Sequence, residues 1–383
     1  MKCADSHAAA RQLIEDRRWM QLALRLARKG YGWTSPNPMV GAVLVKNGRL
    51  IGQGWHHKAG MPHAEIDAMN DARRRGHSVK GATLYVTLEP CSTTGRTPPC
   101  TDAIISSGIA RVVAATTDPN PAHSGRGFDI LRKHGILVST NLLSETAAEL
   151  NEAFNHWILN RTPWVIIKAA MTLDGKIATA SGQSRWITGP KARAFGMRLR
   201  LGADAILVGV NTILADNPSL TVRKKGSDTP IKPLRRIILD SHARTPLTAR
   251  VISDAHAAWT TVIVTQAAPA RRVAQLAKKV NVLVAPAKNG RVDLKWLLKT
   301  LGAGQITSLL VEGGGEVNAS FLLERLGNRL FFFYAPKIIG GHGSVTPLAV
   351  AGNGARTLQE VPTLKDCRWR RLGDDLMLTA RIA

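Results

Sequence analysis

Apolar residues in the first part of the chain switch repeatedly between helical spacing and short unbroken runs. Residues 17–29 place Trp19, Leu22, Ala23, Leu26 and Ala27 on one helical face, and Gly30 stops the pattern. A turn at Pro36-Asn37-Pro38 leads into an apolar run over 40–45. Asn47-Gly48 is a hairpin signal, and a second strand follows over 50–54. Helices are expected over 63–74, 101–107 and 128–134, with strands over 83–88 and 111–116 between them. That alternation predicts a layered α/β sandwich. Residues 141–163 read as one helix ending before Pro163, and a domain joint is placed near 150, giving domains 1–150 and 151–383.

Beyond the joint the pattern changes to short, mostly apolar runs. They fall at 164–168, 205–210, 236–239, 261–264, 282–284, 308–311 and 330–334. Helical segments are expected over 191–201, 270–279, 294–301 and 318–326. Buried strands separated by helices predict a second α/β unit with a mostly parallel sheet.

Length agrees with more than one domain, since 383 residues exceed the roughly 100–200 of an average domain. No apolar run reaches the ~18 residues needed to span a membrane, and the N-terminal segment does not read as a secretory signal. Cysteines occur only at 3, 91, 100 and 367, too few for a disulfide framework; two of them are better used as metal thiolates, which fits a reducing cytoplasm. The net charge of +25, from 52 basic and 27 acidic residues, favours anionic partners. No run of five Lys or Arg occurs and aromatic residues are 5%, so no dedicated nucleic-acid groove is written here.

The chemistry is concentrated in His63-Ala64-Glu65, Pro90-Cys91 and Cys100. One His and two Cys can hold a zinc ion with a fourth tetrahedral position left for water. Glu65 is spaced to carry protons without being a ligand, which is what hydrolytic deamination requires. Eight residues, S-T-T-G-R-T-P-P, separate the two cysteines. With the upstream S-P-N-P-M-V-G-A-V-L-V and the glycine- and histidine-bearing stretch from Gly52 to Glu65, this segment resembles the deaminase half of bifunctional riboflavin-biosynthesis deaminase–reductases. The resemblance implies a cytidine-deaminase-like three-layer α/β/α domain, one zinc per chain on His63, Cys91 and Cys100, and Glu65 as catalytic acid/base. It places Asn37, His56 and Arg96 on the pyrimidine substrate. Thr93 stands where that family usually has His.

No G-x-G-x-x-G follows a strand in the second half. A strand ending at Glu312 runs instead into Gly313-Gly314-Gly315 and a helix, a turn that lets backbone N–H groups approach a phosphate but is also common in ordinary loops. K-A-A-M-T-L-D-G-K-I-A (168–178), S-G-Q-S-R-W-I-T-G (181–189), the segment 204–223 and Y-A-P-K-I-I-G-G (334–341) accompany it. Together they resemble the reductase half of the same enzymes, a dihydrofolate-reductase-like α/β domain. The resemblance implies NADPH bound by Ala170, Trp186, Thr212, Asp216, Ser241 and the 314–320 segment (Gly314, Gly315, Glu316, Val317, Asn318, Ala319, Ser320). It surrounds the phosphoribosyl substrate with Lys168, Ser184, Arg200, Leu220, Arg223 and Glu312. Arg200 and Arg223 offer forked donors to a phosphate. Ser241 and Arg244 are expected to read a 2′-phosphate, with Asp240 turned away.

The expected function is therefore deamination of a phosphoribosylamino-pyrimidine followed by reduction of its ribosyl group to ribityl. The expected partner is that small phosphorylated substrate, with no nucleic acid and no membrane, in a homo-oligomer. A nucleic-acid deaminase with an accessory domain is the alternative suggested by charge, and a non-catalytic RNA-binding module is a third reading. The eight-residue cysteine spacing and the motif series in the second half weigh against the first of these, and the intact set of His63, Glu65, Cys91 and Cys100 weighs against the second.

Overall fold

The computed structural model describes residues 2–94, 98–223, 227, 229–342 and 345–383, the side chains of 2–6 and 8 excepted. The chain forms two compact units, Met1–Asn160 and Arg161–Ala383.

In the first unit the elements run α1 (Lys2–Ala27), β1 (Gly41–Lys46), β2 (Arg49–Trp55), α2 (Ala64–Arg74), β3 (Thr83–Val86) and α3 (Cys100–Ser106). They continue with β4 (Arg111–Ala114), α4 (Arg126–Lys133), β5 (Leu137–Ser139), α5 (Ser144–Leu150) and α6 (Glu152–Asn160). The sheet order is β2-β1-β3-β4-β5, antiparallel on either side of β1 and parallel from β3 onward. Alternation along β1 sends Ala42 and Leu44 to one core, with Ala68 and Ile104, and Val43 and Val45 to the other, with Met20 and Leu24. Helices therefore cover both faces, as the alternating pattern predicts. Asn47 and Gly48 both have positive φ, which the two-residue hairpin requires.

Two boundaries differ from the sequence reading. Helix α1 begins well before residue 17, because Ala9 through Leu13 favour helix even though Leu13 and Ile14 remain exposed. The expected single helix over 141–163 is two. Asn151 interrupts it, its side chain accepting from Met39 N at 2.7 Å and donating to Met39 O at 2.9 Å. Those bonds tie α5 and α6 to the first unit, so the joint lies at 160/161 rather than near 150.

The second unit contains β6 (Trp164–Thr172), α7 (Pro190–Gly202), β7 (Ala205–Gly209), α8 (Val210–Asp216), β8 (Arg235–Leu239), α9 (Arg250–Ser253), β9 (Thr260–Thr265) and α10 (Ala270–Ala277). After these come β10 (Asn281–Ala285), β11 (Ala287–Lys288), β12 (Arg291–Val292), α11 (Leu294–Ala303), β13 (Ser308–Val311), α12 (Gly315–Leu323), β14 (Arg329–Ala335), β15 (Leu364–Leu372) and β16 (Asp375–Ile382). The main sheet runs β10-β9-β8-β7-β13-β6-β14-β16-β15. It is parallel from β10 to β14 and closes with an antiparallel hairpin. The fully buried β7 and β13 show why the central strands read as unbroken apolar runs.

Candidate active sites

The first site is built on α2 and the start of α3. Helix α2 lies very close to edge strand β2, because Gly52 and Gly54 carry no Cβ and added carbons there would meet the backbone of Ala68. Asp67 accepts from Trp55 N at 3.1 Å and Asp71 from Gln53 N at 3.0 Å, which pins the helix to the strand. His63 is the N-cap of α2 by backbone geometry, yet its ring makes no capping bond. Its Nδ1 faces two sulfurs instead, Cys91 Sγ at 3.5 Å and Cys100 Sγ at 3.3 Å. The three ligand atoms lie within 4.8 Å of one another.

Electrostatics at this cluster favour a cation. The Cys91 thiol is drawn down to about 4 by its hydrogen bond with Cys100, against burial, with help from His63. Hydrogen bonding to that thiolate, together with burial, pushes Cys100 up. Two adjacent thiolates repel each other, whereas a shared dication stabilises both, so the donor set fits zinc. Glu65, 3% exposed on the first turn of α2, is pushed up to about 7 by burial and then by the Cys91 charge. A carboxyl poised there can both take and return a proton near neutral pH.

His56 follows β2 and is 2% exposed. Its Nδ1 lies 3.1 Å from Pro62 O, so Nδ1 carries the proton and Nε2 accepts from Asn37 Nδ2 at 3.1 Å. Burial lowers the His56 pKa, consistent with this neutral tautomer. The His56 and His63 rings meet edge to face at 5.3 Å, so Asn37 and His56 border the metal cluster. Arg96 lies outside the described residues.

The second site opens at the carboxyl ends of β7, β8 and β13, where open parallel sheets bind ligands. A cleft of about 1230 Å³ is lined by Thr212, Asp216, Ser241, Arg244 and the start of α12 (Gly314, Gly315, Glu316, Val317 and Ser320). A pocket of about 290 Å³ adjoins it, lined by Lys168, Ala170, Ser184, Trp186, Arg200, Leu220 and Glu312. Ile177, Ser184, Thr212, Asp216 and Gly314 border both. Gly314 is the N-cap of α12, and a Cβ there would have only Thr212 Oγ1 within 4.0 Å, so the backbone is bare where a phosphate would lie. The cleft thus fits an extended phosphorylated cofactor.

The two units match known families. The family described as cytidine and deoxycytidylate deaminase zinc-binding region matches residues 13–116, and the RibD C-terminal domain matches 163–378. The riboflavin biosynthesis protein RibD of Actinobacillus pleuropneumoniae is 44% identical over 366 residues, covering 95% of each chain.

The chain belongs to the RibD family.

Solved structures agree. Acinetobacter baumannii RibD superposes with a TM-score of 0.84 at 35% identity, covering 97% of this chain and 99% of that one. A Thermotoga maritima diaminohydroxyphosphoribosylaminopyrimidine deaminase/5-amino-6-(5-phosphoribosylamino)uracil reductase gives 0.80 at 36% identity, covering 97% and 100%. As a RibD, the chain is a bifunctional deaminase and reductase of riboflavin biosynthesis, with a zinc-binding deaminase domain. The nucleic-acid deaminase alternative gives way, because the RibD C-terminal match covers nearly all of the second unit.

Several expected roles shift once placed in this RibD fold. Ala170 and Trp186 line the smaller pocket and not the long cleft. Trp186 is 64% exposed, and the Arg193 guanidinium sits 4.6 Å from its ring centre. The segment 314–320 is the first turns of a helix, and its Asn318 and Ala319 are buried. Asn318 Nδ2 donates to Ala349 O at 2.8 Å, so these two support the turn from behind. Arg200 is not a free fork for phosphate: Nε and Nη2 hold the Glu312 carboxylate at 3.0 and 2.8 Å, and Nη1 donates to Thr221 O. Although burial works the other way, Arg200 and Lys168 bring Glu312 down to about 2. The stability this pair contributes is present above the ordinary carboxylate range and is lost as pH falls towards that value. Arg223 forms a β-bridge with Pro230 and lines neither cavity.

Sequence reading missed other residues. Lys288 and Arg291 flank Asn289-Gly290 in the β11–β12 hairpin and line the cleft. The signal was present, since Asn-Gly marks this hairpin as it marks the one at Asn47-Gly48. Asp375 was also unsuspected: it accepts from Gly189 N at 2.7 Å and anchors the segment that carries Ser184 and Trp186.

Proposed function

We propose that His63, Cys91 and Cys100 hold the zinc of this RibD and that Glu65 moves the protons of deamination. The supporting observation is the convergence of three donor atoms beside a buried carboxyl. The substrate is 2,5-diamino-6-(5-phosphoribosylamino)pyrimidin-4-one. Zinc bound there supplies the Lewis acidity that makes a water nucleophilic near neutral pH. Glu65 accepts the proton of the attacking water and delivers it to the ring nitrogen, then takes the proton of the newly added hydroxyl and passes it to the departing amine. His56, engaged at both ring nitrogens, fixes Asn37, whose remaining amide groups meet the pyrimidine.

The reductase reading rests on the walls that the long cleft shares with the small pocket. The α12 N-terminus would hold the phosphates of NADPH, with Thr212, Asp216 and Ser241 beside it, and the bound cofactor would supply hydride. In the small pocket the ribosylamine opens to an imine as its N–H proton moves to the ring oxygen. C1′ takes the hydride and the nitrogen takes one proton. Lys168, whose Nζ lies 3.9 Å from Glu312, delivers that proton, while Glu312 and Arg200 hold its position. Ser184 and Leu220 shape the remaining wall.

Cofactor choice belongs to the loop after β8. Asp240 is fully buried and its Oδ2 accepts from Thr245 N and Oγ1, each at 2.7 Å, so this oxygen is engaged away from any ribose in the cleft. Arg244, held by Asn211 at 2.9 Å, and Ser241 face the cleft instead. A charge-assisted contact of this kind is worth about 1.5–3 kcal/mol, roughly 10–150-fold in selectivity. NADPH should therefore exceed NADH in kcat/KM by that order, and Ser241→Ala/Arg244→Ala should remove most of the difference. Equal use of both cofactors by wild type, unchanged in the double variant, contradicts the assignment.

The chain also reads as a cytoplasmic homo-oligomer. Strand β15 is the open edge of the nine-stranded sheet and carries Trp369 at 61% exposure, a feature that association would cover. Cys91 and Cys100 serve as thiolates, which a reducing compartment preserves. No helix among the described residues is long and apolar enough to cross a membrane.

A further inference from the structure

Glu89 is one of the few buried carboxylates in the first unit, and neither proton transfer nor zinc binding uses it. It lies two positions before Cys91, where β3 gives way to the ligand-bearing turn. Its Oε2 accepts from Asp118 N at 3.0 Å and from Gly125 N at 2.9 Å, and Oε1 accepts from Gly127 N at 2.8 Å. Three backbone donors from one segment converge on one acceptor-only group. The Glu89 backbone N donates to Thr116 O at 2.9 Å, closing the base of the same segment. On the far side Gly127 rests against the Pro90 carbonyl, so closely that an added Cβ would collide with it. Cys91 in turn receives Cys100 N on its sulfur at 3.3 Å and Thr101 N on its carbonyl at 3.2 Å.

We propose that Glu89 is a positioning residue of the deaminase site: it clamps the segment from Asp118 to Gly127 onto the Pro90-Cys91 turn and so fixes the Cys91 sulfur relative to His63 and Glu65. The carboxylate is committed to backbone N–H groups, so it does not act as a second proton carrier. Its value lies in having acceptors on both oxygens. Glutamine keeps the shape but turns an NH₂ towards one of the three N–H groups, setting donor against donor in a buried place. Outer-shell partners of metal ligands typically contribute roughly 10–100-fold to affinity or activity, because they hold the ligand in its productive orientation.

The proposal rests on the reading of His63, Cys91 and Cys100 as metal ligands, and the test separates the two. Full-length wild type, Glu89→Gln and Gly127→Ala are loaded with Co²⁺ in place of zinc, and the visible d–d and thiolate-to-cobalt bands are recorded. Gly127→Ala presses on the same Pro90 contact without changing a charge, so it keeps the question open to experiment if Glu89→Gln fails to fold. Deaminase kcat and KM are measured on the zinc forms, and the reductase step is assayed on the uracil intermediate as a control for the rest of the chain. Shifted cobalt bands are expected in both variants, with deaminase kcat down roughly 10–100-fold, KM little changed and reductase rate unaltered. Wild-type bands that either folded variant leaves unchanged, or deaminase and reductase losses of equal size, overturn the role of Glu89. Absence of thiolate-to-cobalt bands in wild type removes the ligand assignment itself, and the proposal with it.

Discussion

Glu65→Gln should abolish ammonia release while leaving zinc content and hydride transfer in place. Glutamine preserves the volume of a side chain that is 3% exposed, so packing on the first turn of α2 survives. It cannot accept the proton of the attacking water or return one to the leaving amine. Positioned proton transfer contributes about 10²–10⁴-fold, and a loss of that size is expected in deaminase kcat. The pH profile supplies a second check. Burial pushes Glu65 up to about 7, and a zinc cation nearby draws it back down, because an opposite charge favours the ionised form. Deaminase kcat/KM should therefore fall as pH drops through a value below about 7, where Glu65 becomes protonated and can no longer act as base. A Gln variant that deaminates at near wild-type rate would move the proton carrier to another residue.

Lys168→Met should be the most damaging single change in the second unit. The ammonium lies in the small pocket beside Glu312, but the carboxylate does not depend on it. Arg200 grips both Glu312 oxygens at 2.8 and 3.0 Å, whereas Lys168 Nζ is 3.9 Å away. Removing Lys168 therefore leaves no unpaired buried charge. Truncating Arg200 would leave one, at a cost of about 3–5 kcal/mol in stability. Methionine fills similar space and cannot give a proton, so the reductase rate should drop by about 10²-fold or more while NADPH binding and deaminase rate persist. Single-turnover NADPH oxidation against the uracil intermediate measures this. A rate within a few-fold of wild type would assign the proton to a different donor.

Legibility in the sequence followed how local each signal was. His63, Glu65, Cys91 and Cys100 could be read because the spacing carries the chemistry, and the fold brings those atoms together at two helix starts. The central strands of the second unit were legible because both faces are buried, leaving β7 apolar throughout and β13 apolar after Ser308. The C-terminal hairpin was not. Most of β15 is exposed and rich in Arg and Lys, so its apolar pattern is too weak to mark a strand, and pairing with β16 creates it. The division of 141–163 at Asn151 was hidden for a related reason, since its partner Met39 is remote in sequence. Arg200 misled because a guanidinium suited to phosphate suits a carboxylate equally well, and only the fold places Glu312 within its reach. Glu89 carried no pattern at all, because its three donors come from a segment that nothing in the spacing links to it.

The most direct test of a two-headed enzyme is to give the full-length zinc protein the diaminopyrimidinone phosphate, with and without NADPH, and to follow ammonia, NADPH and product mass together. Without NADPH, one amino group should be replaced by oxygen with one ammonia released, and the ribosyl group should stay intact. With NADPH, the same product should gain two further hydrogens as one NADPH is oxidised. Ammonia release with no gain of hydrogen in the presence of NADPH, or NADPH oxidation with no ammonia, would contradict the assignment of both activities to this chain.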